Sequence, residues 1–310
     1  MAASIHHQLT DLRGYLDFVE TWATLARGEA IDFAKVPTDW LHTPMKYFDR
    51  LYSEAGVPPP PPGYSVLPHS PTVPPTFAPS EVTYWNFKKQ DIERLKKEFS
   101  SLDKSASDEW ISSGDALASL CWGAVTRARK DSGIPRSSVS DSENDRLAMA
   151  ADGRARAPRG DMFGSYYGNF NLLITFLVPR DDLLLPTAEA GSRVALAIRQ
   201  AIGDQLNAKA VAHKIAFYEA VENTKLAGRI IWYGDVVMTN WCKFDLAGPN
   251  VDFGWGKPFR ATAGGNVYPP GFVRMLQDKS SGDVRVLVTI EVPAVKYLMD
   301  DPLLDRKSVV

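Results

Sequence analysis

Cysteine is scarce: Cys121 and Cys242 are the two in 310 residues. Two thiols cannot build a disulfide framework, so the expectation is a pair of reduced, buried thiols in a cytoplasmic protein. Long apolar runs are missing as well. No stretch reaches the ~20 residues that a membrane span needs. The opening MAASIHHQLTDLRG has neither the basic segment nor the apolar core of a secretion signal. Charge of one sign is also lacking. The 35 Lys+Arg face 37 Asp+Glu, for a net charge of −2. Such a chain has no global field to draw nucleic acid or an anionic membrane. The five histidines (6, 7, 42, 69 and 213) stand at no zinc-like spacing from the cysteines, which argues against a structural metal.

With 45% hydrophobic and 23% charged residues the composition is that of a globular protein, and 310 residues suggest about two domains. Leu12, Tyr15, Leu16, Val19, Trp22, Ala23 and Ala26 follow helical spacing, with Asp11 placed to cap and Gly28 to stop the helix. A short strand over 2–5 is expected to feed into His6 and His7. Ten prolines between Val57 and Pro79 predict an extended, polyproline-like crossover. Beyond it, strands are expected at 81–87, 147–151, 169–178, 235–241 and 284–292. Helices are expected at 89–99, from Ser112 or Ser113 to Gly133, and over 187–224 as one long helix or two joined near Asn207. A polar loop over 137–144 separates two of these elements, and Pro293 suits the start of a last short helix. Interleaved strands and helices indicate a layered, mixed α/β fold.

Two motifs carry candidate chemistry. In His6-His7-Gln8-Leu9-Thr10-Asp11, His7 sits in the turn leading into the first helix. An imidazole titrating near neutral pH suits proton abstraction from an alcohol or amine. Asp11 can cap the helix or pair with a distant arginine. Far downstream, Asp252-Phe253-Gly254-Trp255-Gly256 implies a tight turn with Trp255 as an aromatic anchor. This second motif holds no nucleophile, metal cluster or phosphate loop. A structural partner for Asp252, such as an arginine, is the natural reading.

Taken together, the motifs resemble those of the BAHD family of acyl-CoA-dependent acyltransferases. Residues 82–97 and 115–129 are similar to the strand and helices that open the family's second domain. Asp152-Gly153-Arg154, Tyr166-Tyr167-Gly168-Asn169 and Thr239-Asn240-Trp241 resemble further family segments. The likeness runs from Ile5 onward, and its wording looks closer to fungal than to plant members. It implies a chloramphenicol-acetyltransferase-like, two-domain architecture. Residues 1–56 would be a remnant of the first domain, 57–80 the crossover, and 81–310 the second domain. Met1 stands six positions before His7, so the resemblance implies a shortened first domain whose helix leaves part of its apolar face uncovered.

The implied reaction moves an acyl group, acetyl being the first expectation, from acyl-CoA to a hydroxyl or amine of a small molecule. His7 would be the general base and attack would be direct, with no acyl-enzyme. Thr239 and Trp241 would line the oxyanion site, while Asp11, Asp252, Gly254, Trp255 and Gly256 would hold the architecture. Acyl-CoA would be a cosubstrate, with no permanently bound cofactor and no metal. A cytoplasmic monomer of specialised metabolism, without nucleic-acid or membrane partners, completes the expectation. Two other readings compete. One is a non-catalytic remnant that binds a ligand or an intact paralogue. The other is a peptide-synthetase condensation domain, which shares the His-His-x-x-x-Asp element but is disfavoured by residues 252–256.

Overall fold

The structure is a computed structural model that describes residues 2–33, 48, 58–66, 77–100, 110–136, 143–156, 166–219, 230–231, 234–262 and 268–305. The expected loop at 137–142, residues 67–76 of the proline stretch and the end of the 187–224 helical run lie outside them.

A six-stranded mixed sheet organises the chain, in the order β2-β8-β7-β6-β3-β4. The strands are β2 (Ser80–Phe87), β3 (Asn144–Asp152), β4 (Asn171–Pro179), β6 (Val236–Asn240), β7 (Phe272–Gln277) and β8 (Val284–Glu291). β3, β6 and β7 run parallel, and the other pairings are antiparallel. Alternation sets the two faces. Met149, Met238, Val273 and Val288 form one cross-strand row inside the main hydrophobic core. The next row, Ala150, Thr239, Arg274 and Leu287, therefore points to the opposite face.

Helices cover the core face. They are α2 (Lys89–Ser100), α3 (Ser113–Asp131), α4 (Arg180–Leu184), α5 (Ala188–Gln205) and α6 (Ala208–Glu219). α3 is buried along nearly its whole length, which explains its continuous small and apolar sequence. A capping box starts it: the Ser112 hydroxyl accepts from Asp115 N, and the Asp115 carboxylate accepts from Ser112 N. Arg127 and Arg129 anchor its far end through Asp301 and Glu291. The 187–224 run resolves into α5 and α6, with the break at 206–207.

The edge of β4 is closed by side chains. Gln205 bonds both N and O of Thr175, while Tyr64 and Lys214 donate to Leu173 O. Tyr64 belongs to the described part of the proline stretch, which also carries β1 (Ser65–Val66), paired with β5 (Ile230–Ile231). Gly63 has φ +79°, and a Cβ there would collide with Thr175 Oγ1 at 1.6 Å.

Three expectations change. The expected strand over 2–5 does not form: Tyr15 Oη donates to Ala3 O, but no strand among the described residues pairs with the segment. α1 (Leu12–Ala26) forms with Asp11 as its cap, but its buried face is Gly14, Leu16, Asp17, Val19 and Ala23. Phe18, Trp22 and Leu25 are exposed, so Trp22 lies outside the buried stripe that spacing assigned to it. β7 and the short helices Arg180–Leu184 and Pro302–Asp305 were not anticipated. Alternation of Val273 and Met275 after the Pro269-Pro270-Gly271 breaker was the available signal for β7.

Candidate active site

Asp11 is the most connected residue of the motifs. Its carboxylate caps α1 by accepting from Gly14 N at 3.0 Å. It also accepts from Phe170 N at 2.6 Å and from Arg154 Nη1 and Nη2, each at 3.0 Å. Arg154 in turn bonds Asp152, Tyr166 O and Gly168 O, and lies over the Tyr166 ring at 5.4 Å. Burial works against the charge on this guanidinium. The bonds and charge of Asp11 and Asp152 outweigh it and hold the pKa above its ordinary value. Three sequence segments, 6–11, 152–154 and 166–170, thus close on a single buried ion pair.

Sequence reasoning gave Gly14, in the Leu12-Arg13-Gly14 that follows Asp11, no role. A Cβ there would meet Tyr167 O at 2.5 Å and Thr10 Oγ1 at 2.6 Å, so α1 approaches the 166–169 segment only through a glycine.

The node fixes the backbone of His7. Asn169 Nδ2 donates to His7 O at 2.9 Å, and Leu9 N donates to His6 O at 2.9 Å. The His7 side chain is exposed, in a turn over 7–9. A small cavity among α2, α3, α4 and α5, lined by Phe99, Ser119, Leu183 and Val194 among others, contains none of the motif residues.

Thr239 lies near the C-terminal end of β6 and Trp241 just beyond it, at the same end of the sheet to which the parallel β3 delivers Asp152. Register aligns Thr239 with Ala150, so the Cα atoms of Thr239 and Asp152 are about 8 Å apart from strand spacing and rise. Trp241 Nε1 donates to Thr239 Oγ1 at 2.9 Å. The indole N–H is therefore engaged by Thr239 in this structure, and the two residues expected to line the oxyanion site are joined to each other. The Thr239 hydroxyl, having accepted that bond, keeps its own hydrogen to give.

In the 252–256 motif, Asp252 Oδ1 accepts from Gly254 N at 2.8 Å and Gly256 N at 2.9 Å. Both glycines have positive φ, +96° and +94°. Arg27 Nη1 donates to Asp252 O, the main-chain carbonyl. Trp255 is 84% exposed, and its ring contact is a stack on Phe253 at 6.3 Å. It anchors nothing in the core, a correction to its expected role: the turn is made by Asp252 and the two glycines. The cysteines offer no nucleophile, since burial pushes Cys121 up to about 12 and Cys242 up to about 11.

A family model described as "Transferase family" matches residues 1–303. Among curated proteins, the chain is 24% identical over 266 residues to anthranilate N-benzoyltransferase protein 3 of Dianthus caryophyllus, covering 82% of this chain and 53% of that protein. It is 22% identical over 310 residues to shikimate O-hydroxycinnamoyltransferase of Nicotiana tabacum, covering 96% and 64%. The chain thus spans about half to two thirds of the length of these relatives. Among solved structures, F. sporotrichioides TRI101, complexed with coenzyme A and T-2, superposes with a TM-score of 0.73 at 17% identity, covering 98% of this chain and 66% of that one. Vinorine synthase gives 0.59 at 16% identity, covering 96% and 60%. These likenesses establish the shared fold, and among the described residues no helix is long and apolar enough to cross a membrane. On the match across residues 1–303, the chain belongs to this transferase family, the BAHD acyltransferases.

Proposed function

We propose that the protein transfers an acyl group, acetyl in the simplest case, from acyl-CoA to a hydroxyl or amine of a small-molecule acceptor. Residues 81–310 would form the acyltransferase domain and residues 1–56 would deliver the histidine. His7 takes the proton as the acceptor oxygen or nitrogen attacks the thioester carbonyl. The Thr239 hydroxyl donates to the resulting oxyanion. When the C–S bond breaks, the proton passes to the departing sulfur, giving free CoA and the ester or amide. No acyl-enzyme forms, in keeping with two thiols held protonated by burial.

The observation that carries this reading is the tether of the His7 backbone, through Asn169 and the Asp11–Arg154 pair, to the end of the sheet that bears Thr239. The acceptors in the relatives' names, anthranilate and shikimate, are carboxylic acids, and acids of that kind head the acceptor list. The test is acyl transfer followed by mass spectrometry across acetyl-, malonyl- and benzoyl-CoA. His7→Ala is expected to lose at least ~10²-fold in turnover while CoA binding stays intact. Undiminished turnover in that variant would remove His7 from the mechanism.

One observation favours a second reading, a non-catalytic chain that binds a ligand or an intact paralogue. The His7 ring is exposed next to an α1 whose Phe18, Trp22 and Leu25 are also exposed, and general-base chemistry gains from excluding water. CoA binding by the wild type without transfer to any acceptor would support that alternative.

A further inference from the structure

We propose that Arg274 is the seat for a carboxylate on the acceptor, beside Thr239. This deepens the acyltransferase reading and rests on it.

Arg274 lies on β7 as the direct register partner of Thr239, on the sheet face turned away from the helices. It is only 6% exposed. Its guanidinium sits 5.0 Å from the Trp241 ring and 5.6 Å from the Tyr268 ring, and Nη1 donates to Tyr268 Oη at 2.9 Å. Tyr268 is held in turn by a near-parallel stack on Phe272 at 4.3 Å. Two aromatic faces and one hydroxyl thus fix the plane of the guanidinium.

Its Nε and Nη2 donate to no group among the described residues, and no carboxylate there pairs with it. Nor are these nitrogens sealed, as Arg154 Nε and Arg156 Nε are. The same chain shows what this edge of an arginine does when a carboxylate is in reach. Arg127 gives Nη1 to a neutral oxygen, Leu183 O, and its Nε and Nη2 to Asp301 at 2.7 and 3.0 Å. Arg129 gives Nη1 to Asp235 O, and its Nε and Nη2 to Glu291 at 3.0 and 2.9 Å. Arg274 repeats the pattern with Tyr268 as the neutral oxygen, but without the acid. A buried cation lacking its counter-charge is costly to keep. A planar, two-pronged edge beside the proposed oxyanion donor fits a small carboxylate that arrives with the substrate.

The experiment compares acids with their uncharged twins, anthranilate against anthranilamide and shikimate against its methyl ester. Binding is read by calorimetry and transfer by mass spectrometry, on the full chain with acetyl-CoA. Wild type should favour at least one acid over its twin by about 10²-fold. Arg274→Gln should erase that preference by weakening the acid alone, with CoA affinity unchanged. Arg274→Lys, which keeps the charge and loses the fork, should retain part of the preference, and it serves if the Gln variant does not fold. Equal handling of acid and twin by wild type would overturn the proposal, as would equal losses for both in the variant. A tenfold fall in CoA affinity would also overturn it, by assigning the edge to a CoA phosphate. Arg274-dependent acid binding without transfer from acetyl-, malonyl- or benzoyl-CoA would uphold the seat and sink the acyltransferase reading instead.

Discussion

Asp11 and Asp252 each sit in a short motif, and the two do opposite work. Asp11 is buried and reaches outward: its four accepted bonds come from its own helix, from Phe170 N and from the Arg154 guanidinium. Asp252 is half-buried and reaches inward: both of its accepted bonds come from glycines within four residues. The first carboxylate joins three segments far apart in sequence. The second shapes only its own turn, and the motif's ties to α1 and its cap bypass the carboxylate: the Asp252 carbonyl receives Arg27, and the Phe253 ring meets Trp22 edge-on at 5.1 Å. A motif aspartate is therefore not one kind of object. What separates the two is whether a cation is desolvated against it.

Removing Asp11 is the largest way to break the contrast. Asp11→Ala would leave the Arg154 charge buried with only Asp152 and carbonyls for company. A loss of about 3–5 kcal/mol is expected for a buried pair cut in this way, read as a shift of the urea midpoint at unchanged slope. A loss below 1 kcal/mol would place Asp11 with Asp252 instead. A third carboxylate on α1 sharpens the point. Asp17 is buried, and burial raises its pKa to about 6, although Arg13 at 2.6 Å and Arg154 pull the other way. The folded chain then holds a proton that the unfolded chain releases between about pH 4 and 6. Stability should fall as pH rises through that window, by up to about 3 kcal/mol. Asp17→Asn should accordingly raise the melting temperature at pH 8 and not at pH 4. An equal effect at both values would show Asp17 to be ionised throughout.

The sequence made the local half of this legible. Periodicity and caps located α1, α2, α3 and every strand of the sheet except β7, because each signal lies within a dozen residues of what it determines. Asp11 as a cap was readable for the same reason. A distant arginine was expected as its partner, but not which one, since no spacing rule links positions 143 residues apart. Gly14 carried no signal alone, because the Tyr167 carbonyl that forbids its Cβ arrives from another segment. The bond from the Trp241 indole to Thr239, two residues back and inside β6, was likewise not written in the spacing, because it depends on the rotamer the tryptophan takes just past the strand end. The buried face of α1 was rotated from expectation because tertiary contacts chose Gly14 and Asp17 over Trp22.

The smallest effects belong to the 252–256 turn. Asp252→Ala removes the acceptor of two backbone N–H groups near the surface, and about 1 kcal/mol is expected, the scale of a lost cap. Trp255→Ala should cost less than about 0.5 kcal/mol, because an 84% exposed ring has little burial to lose. If Trp255→Ala leaves the melting temperature alone yet lowers turnover, the ring acts on a bound partner or substrate rather than on the fold. If it destabilises by 2 kcal/mol or more, the turn is held from outside and the comparison with Asp11 fails. Melting curves of both variants, run beside CoA titrations, separate these outcomes. Turn geometry comes from Asp252 and two left-handed glycines, so the aromatic residue between them is free to face a ligand.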